Sequence, residues 1–282
     1  MKYTKTTIKE LTKRYAIVLK KCAFLNMIAL TGTFFATTAM AVNAPLGVVA
    51  NDTVLSGTYE DYVNTDGTQA GVATIDYDTT GVSVADGAKF LNNETQKSAG
   101  GVLKVMNGMT VGSDVEFSGN KATNDGWGGG ALYVKLADGE ELSENGTVSF
   151  GDNAKFSGNS ASLGGAIALE HGNLELGNGA TFDGNTATTG SHQSGGAIAM
   201  WQDAEDHGDI KSTLTATNAI CKNNTEGNVG GAISVGEKAG TANVGGLFES
   251  NTANNGGAIY NADAVTVATG TQFNKNPATG QG

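Results

Sequence analysis

The 282-residue sequence predicts an all-β protein, a single-stranded parallel β-helix of about six to seven coils behind an N-terminal cap. Three observations carry the prediction. A Phe-x-x-Asn element recurs along the chain, a Gly-Gly-Ala-aliphatic element follows it, and the residues after the glycines alternate with the two-residue period of a strand. Self-similarity at 20 to 50 residues is the mark of a solenoid or related array.

The elements stand in fixed order. Phe-x-x-Asn occurs at Phe90/Asn93, Phe117/Asn120, Phe156/Asn159, Phe182/Asn185, Phe248/Asn251 and Phe273/Asn276, with Ile220/Asn223 as a degenerate copy. The glycine pairs are Gly100-Gly101, Gly129-Gly130, Gly164-Gly165, Gly195-Gly196, Gly230-Gly231 and Gly256-Gly257. The first glycines at 100, 129, 164, 195, 230 and 256 are separated by steps of 29, 35, 31, 35 and 26 residues.

The alternation after each pair decides between strands and helices. Leu103, Leu132, Ile167, Ile198, Ile233 and Ile259 are all large and aliphatic; two residues on stand Val105, Val134, Leu169, Met200, Val235 and Asn261. Between them lie Lys104, Tyr133, Ala168, Ala199, Ser234 and Tyr260, which share no character. Alternate positions facing one side are a strand with one face inward. No stretch of the mature chain carries the i, i+3, i+4 pattern of a repeat-protein helix.

Stacking of coils about 4.8 Å apart gives the motif residues physical tasks. The phenylalanines form an internal column, the asparagines turn a corner and bond to their copies above and below, and the glycines allow positive φ or close backbone approach at a second corner.

Residues 1–41 read as a signal peptide, 42–80 as a cap or first irregular coils, and 81–282 as the repeats. The leader carries seven cations and Glu10 ahead of an apolar stretch ending Ala39-Met40-Ala41, with cleavage expected after Ala41. The chain holds 17 basic and 28 acidic residues; without the leader's 7 and 1, 10 and 27 remain, a formal charge of −17. All ten cations are Lys, which argues against nucleic acid as a partner and disfavours an anionic lipid surface. Cys221 is then the sole cysteine, which rules out an internal disulfide and a thiolate zinc site.

No constellation for catalysis, metal or cofactor remains once the repeats are assigned. His171 and His192 read as isolated surface positions, and Ser194 lacks the Gly-x-Ser-x-Gly frame of a nucleophile elbow. The acids around residues 203–209 lack the nine-residue repeat of calcium solenoids. The expectation is a non-enzyme without cofactors; the alternative is a polysaccharide-active β-helix, which would need paired carboxylates or a basic proton acceptor.

Two coils are longer than the rest. The aliphatic after the glycines lies 14 or 15 residues from the next motif Phe in most coils, but Leu132 to Phe156 spans 24 and Ile198 to Ile220 spans 22. Both insertions enter at the same point of the coil, two coils apart, and insertions at equivalent points fall on one face. Their candidate contact residues are Asp138, Glu140, Glu141 and Glu144 in the first, and Trp201, Asp203, Glu205, Asp206, His207 and Asp209 in the second.

The repeated Phe-x-x-Asn and Gly-Gly-Ala-Ile/Leu/Val resemble the tandem repeats of the polymorphic outer membrane proteins of chlamydiae and of other Gram-negative autotransporter passengers. The leader is similar to the extended signal peptides of autotransporters. The resemblance spans Phe90 to the C-terminus, about two thirds of the chain. It implies a right-handed, pectin-lyase-like β-helix, exported and displayed at the cell surface, that contacts proteins or glycans of host or neighbouring cells. Family members end in a translocating barrel, whereas here the sequence stops at Gly282, where the next Gly-Gly is due, and reads as a truncated passenger whose outer-membrane link is a missing C-terminal barrel; the alternative is a free, extracellular β-helix.

Overall fold

The computed structural model describes residues 45–65, 67–123, 128–138, 141–142, 146–188, 193–202 and 210–280. The expected leader, 1–41, and its cleavage site lie outside them. Among the described residues every regular element is a strand, and no helix is long and apolar enough to cross a membrane.

The chain visits three parallel sheets in turn. The first holds eight strands in strict chain order: Gly47–Val48, Ala73–Ile75, Leu103–Val105, Leu132–Lys135, Ile167–His171, Ile198–Met200, Ile233–Val235 and Ile259–Asn261. The second, of 14 strands, carries the phenylalanines. The third begins with Val63–Asn64 and runs through Thr186–Ala187, and single bridges extend it to Thr225, Thr252 and Ala278. This is a parallel β-helix with eight rungs among the described residues. Its first rung is built from residues 47–64, inside the span expected to hold a cap or irregular coils.

Register places like on like. Leu103, Leu132, Ile167, Ile198, Ile233 and Ile259 pair in succession across the first sheet and belong to one core cluster. Phe90, Phe117, Phe156, Phe182 and Phe248 are all 0% exposed. Tyr59 heads the column, 5.0 Å from Phe90, and the rings then follow at 4.8, 5.0 and 4.6 Å as far as Phe182, within 8° of parallel. Each buried ring contributes on the order of 1.5 to 3 kcal/mol.

The column breaks once, and there the predicted frame is corrected. Phe182 pairs with Cys221, which pairs with Phe248, so the degenerate copy is Cys221/Asn224 rather than Ile220/Asn223. Ile220 faces outward beside Thr181. At the last rung Phe273 stacks 5.0 Å from Phe248 but is 48% exposed.

The corner is also corrected. The motif Asn does not take the left-handed conformation; the residue before it does. Asp61, Asn92, Gly119, Gly158, Gly184, Asn223, Ser250 and Lys275 all have φ between 51° and 66°. Asn, Asp and Gly tolerate this conformation, which explains most of the row.

The motif Asn instead forms a buried ladder. Each of Asn93, Asn120, Asn159, Asn185, Asn224 and Asn251 donates its backbone N–H and one Nδ2 proton to Oδ1 of the next, at 2.8 to 3.1 Å. The second Nδ2 proton goes back one rung, as from Asn159 to the carbonyl of Phe117 at 3.0 Å. Both amide protons and the acceptor are satisfied without water, which lets a polar column sit in the interior.

The two glycines of a pair serve different contacts. A Cβ on Gly164 would lie 1.8 Å from the carbonyl oxygen of Ile167 in its own coil, and one on Gly165 2.0 Å from that of Gly196 in the next. Close approach is thus the common requirement; only Gly100, Gly230 and Gly256 among the first glycines also have positive φ.

Candidate functional site

The outer face of the first sheet, where both insertions leave the helix, is the richest in chemistry. The first insertion follows the strand Leu132–Lys135 on rung four, and the second follows Ile198–Met200 on rung six. Rung five, with the strand Ile167–His171, runs between them. The roots are therefore two rung spacings apart, about 10 Å.

Alternation turns Tyr133, Ala168 and Ala199 outward, yet they are buried. With Ala99, Leu163 and Trp201 they form a second hydrophobic cluster, separate from the core. Tyr133 is 3% exposed and Trp201 8%, so neither is the open surface position that alternation suggests. His171 is fully buried too, which corrects its expected surface placement.

Glu170 is the charged centre of this face. Its side chain is 0% exposed; it forms an ion pair with Lys135 Nζ at 2.8 Å and accepts a hydrogen bond from the Tyr133 hydroxyl. His171 Nε2 lies 3.7 Å away. Two rungs toward the N-terminus, burial pushes the Lys104 ammonium below the ordinary lysine range; Asp76 opposes this, Lys135 adds to it, and Glu170 opposes it.

A second buried carboxylate, Glu226, sits in the third sheet at the level where other rungs carry Ala122, Ala161 and Ala187. It accepts the Ser194 hydroxyl at 2.6 Å and the backbone N–H groups of Asn228 and Val229. Ser194 is thereby a structural donor. Cys221 is buried, and burial pushes its thiol up to about 12.

Of the candidate contact residues, Asp138 and Glu141 are register partners in a short antiparallel backbone pairing, Ala137–Asp138 with Glu141–Leu142, at the start of the first insertion. Trp201 is in the buried cluster at the root of the second. Glu140, Glu144, Asp203, Glu205, Asp206, His207 and Asp209 lie outside the described residues, as does His192. Among the described residues no group of three or more His, Cys, Asp and Glu is placed to hold a metal ion.

Glu170 and Glu226 gave no motif that singled them out. A signal existed at Glu226, where an acid replaces the alanine that follows the Asn of other coils by two residues.

No curated protein and no solved structure matches the chain. The Chlamydia polymorphic membrane protein repeat matches residues 114–135 and 245–262. Both segments run from the corner ahead of Phe117 or Phe248 through Asn120 or Asn251 to the strand after the glycine pair, the part of a turn that carries both motifs. Two stretches of this β-helix, around Phe117 and Phe248, are thus similar to the Chlamydia polymorphic membrane protein repeat.

Proposed function

We propose that the chain is an exported, surface-displayed, autotransporter-passenger-like β-helix that acts as a non-catalytic adhesin. Its two acidic insertions touch protein or glycan on host or neighbouring cells. The carrying observation is that both insertions leave from one side of the helix, on rungs four and six, while the repeated residues are used in packing. The matched family is described as a membrane protein family, which supports display at the cell surface.

The state of Glu170 supports a non-catalytic part. Glycoside hydrolysis needs two carboxylates facing a bound sugar. Glu170 has no exposed side-chain surface and is engaged by Lys135 and Tyr133.

The test is to shorten both insertions to the length of the other coils. The double deletion keeps its melting transition and loses attachment of chain-coated beads to cultured epithelial cells and to bacterial lawns. Undiminished attachment by the folded deletion overturns the reading.

A further inference from the structure

We propose that Glu170 is a positioning residue that ties the roots of the two insertions into one unit. Its consequence for adhesion rests on the reading above, but the coupling itself does not.

The strand Ile167–His171 has one residue more than its neighbour. Leu169 pairs with Val134, yet His171 pairs with Lys135, so Glu170 is the unopposed residue of a β-bulge. Bulges re-aim side chains, and here the carboxylate meets Tyr133 and Lys135, the strand that runs straight into the first insertion.

The backbone of the same stretch holds the second insertion. The Glu170 carbonyl accepts from Ser212 Oγ at 3.1 Å, where the chain returns to the helix. The Leu169 carbonyl accepts the Trp201 N–H at 3.1 Å, where the chain departs, and the Gly172 carbonyl accepts the Thr213 N–H at 3.0 Å. The His171 carbonyl accepts the Leu136 N–H at 2.8 Å, at the start of the first insertion. Residues 169–172 thus receive the departure of both insertions and the return of the second.

Fit is close on the rung-four side. Gly172 has a φ of 114°, and a Cβ there would come within 2.7 Å of the Leu136 side chain. A buried carboxylate held by a lysine is costly to leave unpaired, so loss of either partner disturbs the bulge and everything bonded to it.

The test is amide hydrogen exchange on the full chain. Glu170→Gln keeps the size and the acceptor for Tyr133 but removes the charge facing Lys135. It should accelerate exchange at Leu136, Trp201 and Thr213 together by roughly tenfold, with Phe156 and Phe182 unchanged. Lys135→Met should do the same at Trp201 and Thr213, and the double variant should add nothing further, because the two act through one pair. If Glu170→Gln does not fold, Lys135→Met alone decides the matter. Acceleration confined to Leu136, or additive effects of the two substitutions, overturns the proposal. Loss of coupling with intact attachment counts against the adhesion reading, whereas the deletion experiment leaves the coupling untouched.

Discussion

Asn159 donates both its backbone N–H and an Nδ2 proton to Oδ1 of Asn185, each at 3.0 Å, although the two residues are 26 positions apart in sequence. Asn159 Oδ1 in turn receives the matching pair from Asn120. Replacing Asn159 by Ala would strand two buried donors on Asn120 and the carbonyl of Phe117. The expected loss is roughly 3 kcal/mol in urea unfolding, against about 1 for Asn276→Ala at the part-buried end of the ladder. Equal losses at the two sites would show that the ladder contributes little.

The left-handed corner gives a test free of packing. Gly158 has a φ of 60°, and a Cβ there would meet nothing within 4 Å. Gly158→Val should therefore lower stability by roughly 1–2 kcal/mol through backbone strain alone. Asn223→Gly, at the same corner of rung six with a φ of 54°, should be neutral within a few tenths. Wild-type melting of Gly158→Val would remove the corner assignment.

Burial of the outward sheet face changes what alternation alone predicts for Tyr133. Phe156→Ala should cost roughly 3–5 kcal/mol as a core truncation. Tyr133→Ala, at 3% exposure, should cost roughly 3 kcal/mol, far more than its outward position alone implies. Tyr260→Ala, part-buried in the same outward row, should cost under about 1. Thermal or urea unfolding of the three variants ranks them, and Tyr133 grouping with Tyr260 would contradict the second cluster.

Cys221 reports on unfolding and on pH. In a Cys22→Ser chain its thiol, buried and pushed up to about 12, should react with a thiol reagent only at the rate of opening. The folded thiol stays protonated where the unfolded one, with an ordinary value of 9.0, ionises. The native state then binds more protons, so this contribution is full below about pH 9 and is lost as pH rises toward 12. Subtracting the alkaline stability curve of Cys221→Ala isolates it; identical curves would show that the thiol is not desolvated.

Much of the fold is legible because a stacked coil repeats its constraints. Phe156 continues the flat rings between Phe117 and Phe182, and Asn159 continues the primary amides between Asn120 and Asn185, so the interior writes itself into the sequence at most rungs. The first rung lacks the Phe-x-x-Asn motif because Tyr59 and Tyr62 stand where Phe and Asn stand elsewhere. The frame at Cys221 was offset by one because Ile220 resembles a Phe substitute more than Cys does; the doubled Asn223-Asn224, like Asn92-Asn93, carried the correct frame as a left-handed residue followed by a ladder residue.

The site was less legible for a different reason. Alternation reports which face of a strand a residue is on, not what covers that face. Tyr133 and Trp201 are buried on positions that the two-residue period leaves open. The bulge at Glu170 leaves no trace in spacing either, because the extra residue falls in a strand whose length is free to vary.

The central claim is that equivalent positions of successive repeats lie one rung apart. Ser118 and Ser157 are paired across adjacent strands with their Oγ atoms 3.0 Å apart, and Ser157 in turn pairs with Asp183. In a Cys22→Ser, Cys221→Ala chain, the pair Ser118→Cys and Ser157→Cys should oxidise to an intramolecular disulfide, identified by mass spectrometry. The pair Ser118→Cys and Asp183→Cys, two rungs and about 10 Å apart, should stay reduced, since a disulfide spans less than about 7 Å between Cα atoms. A reduced first pair, or equal oxidation of both, would contradict the one-rung register.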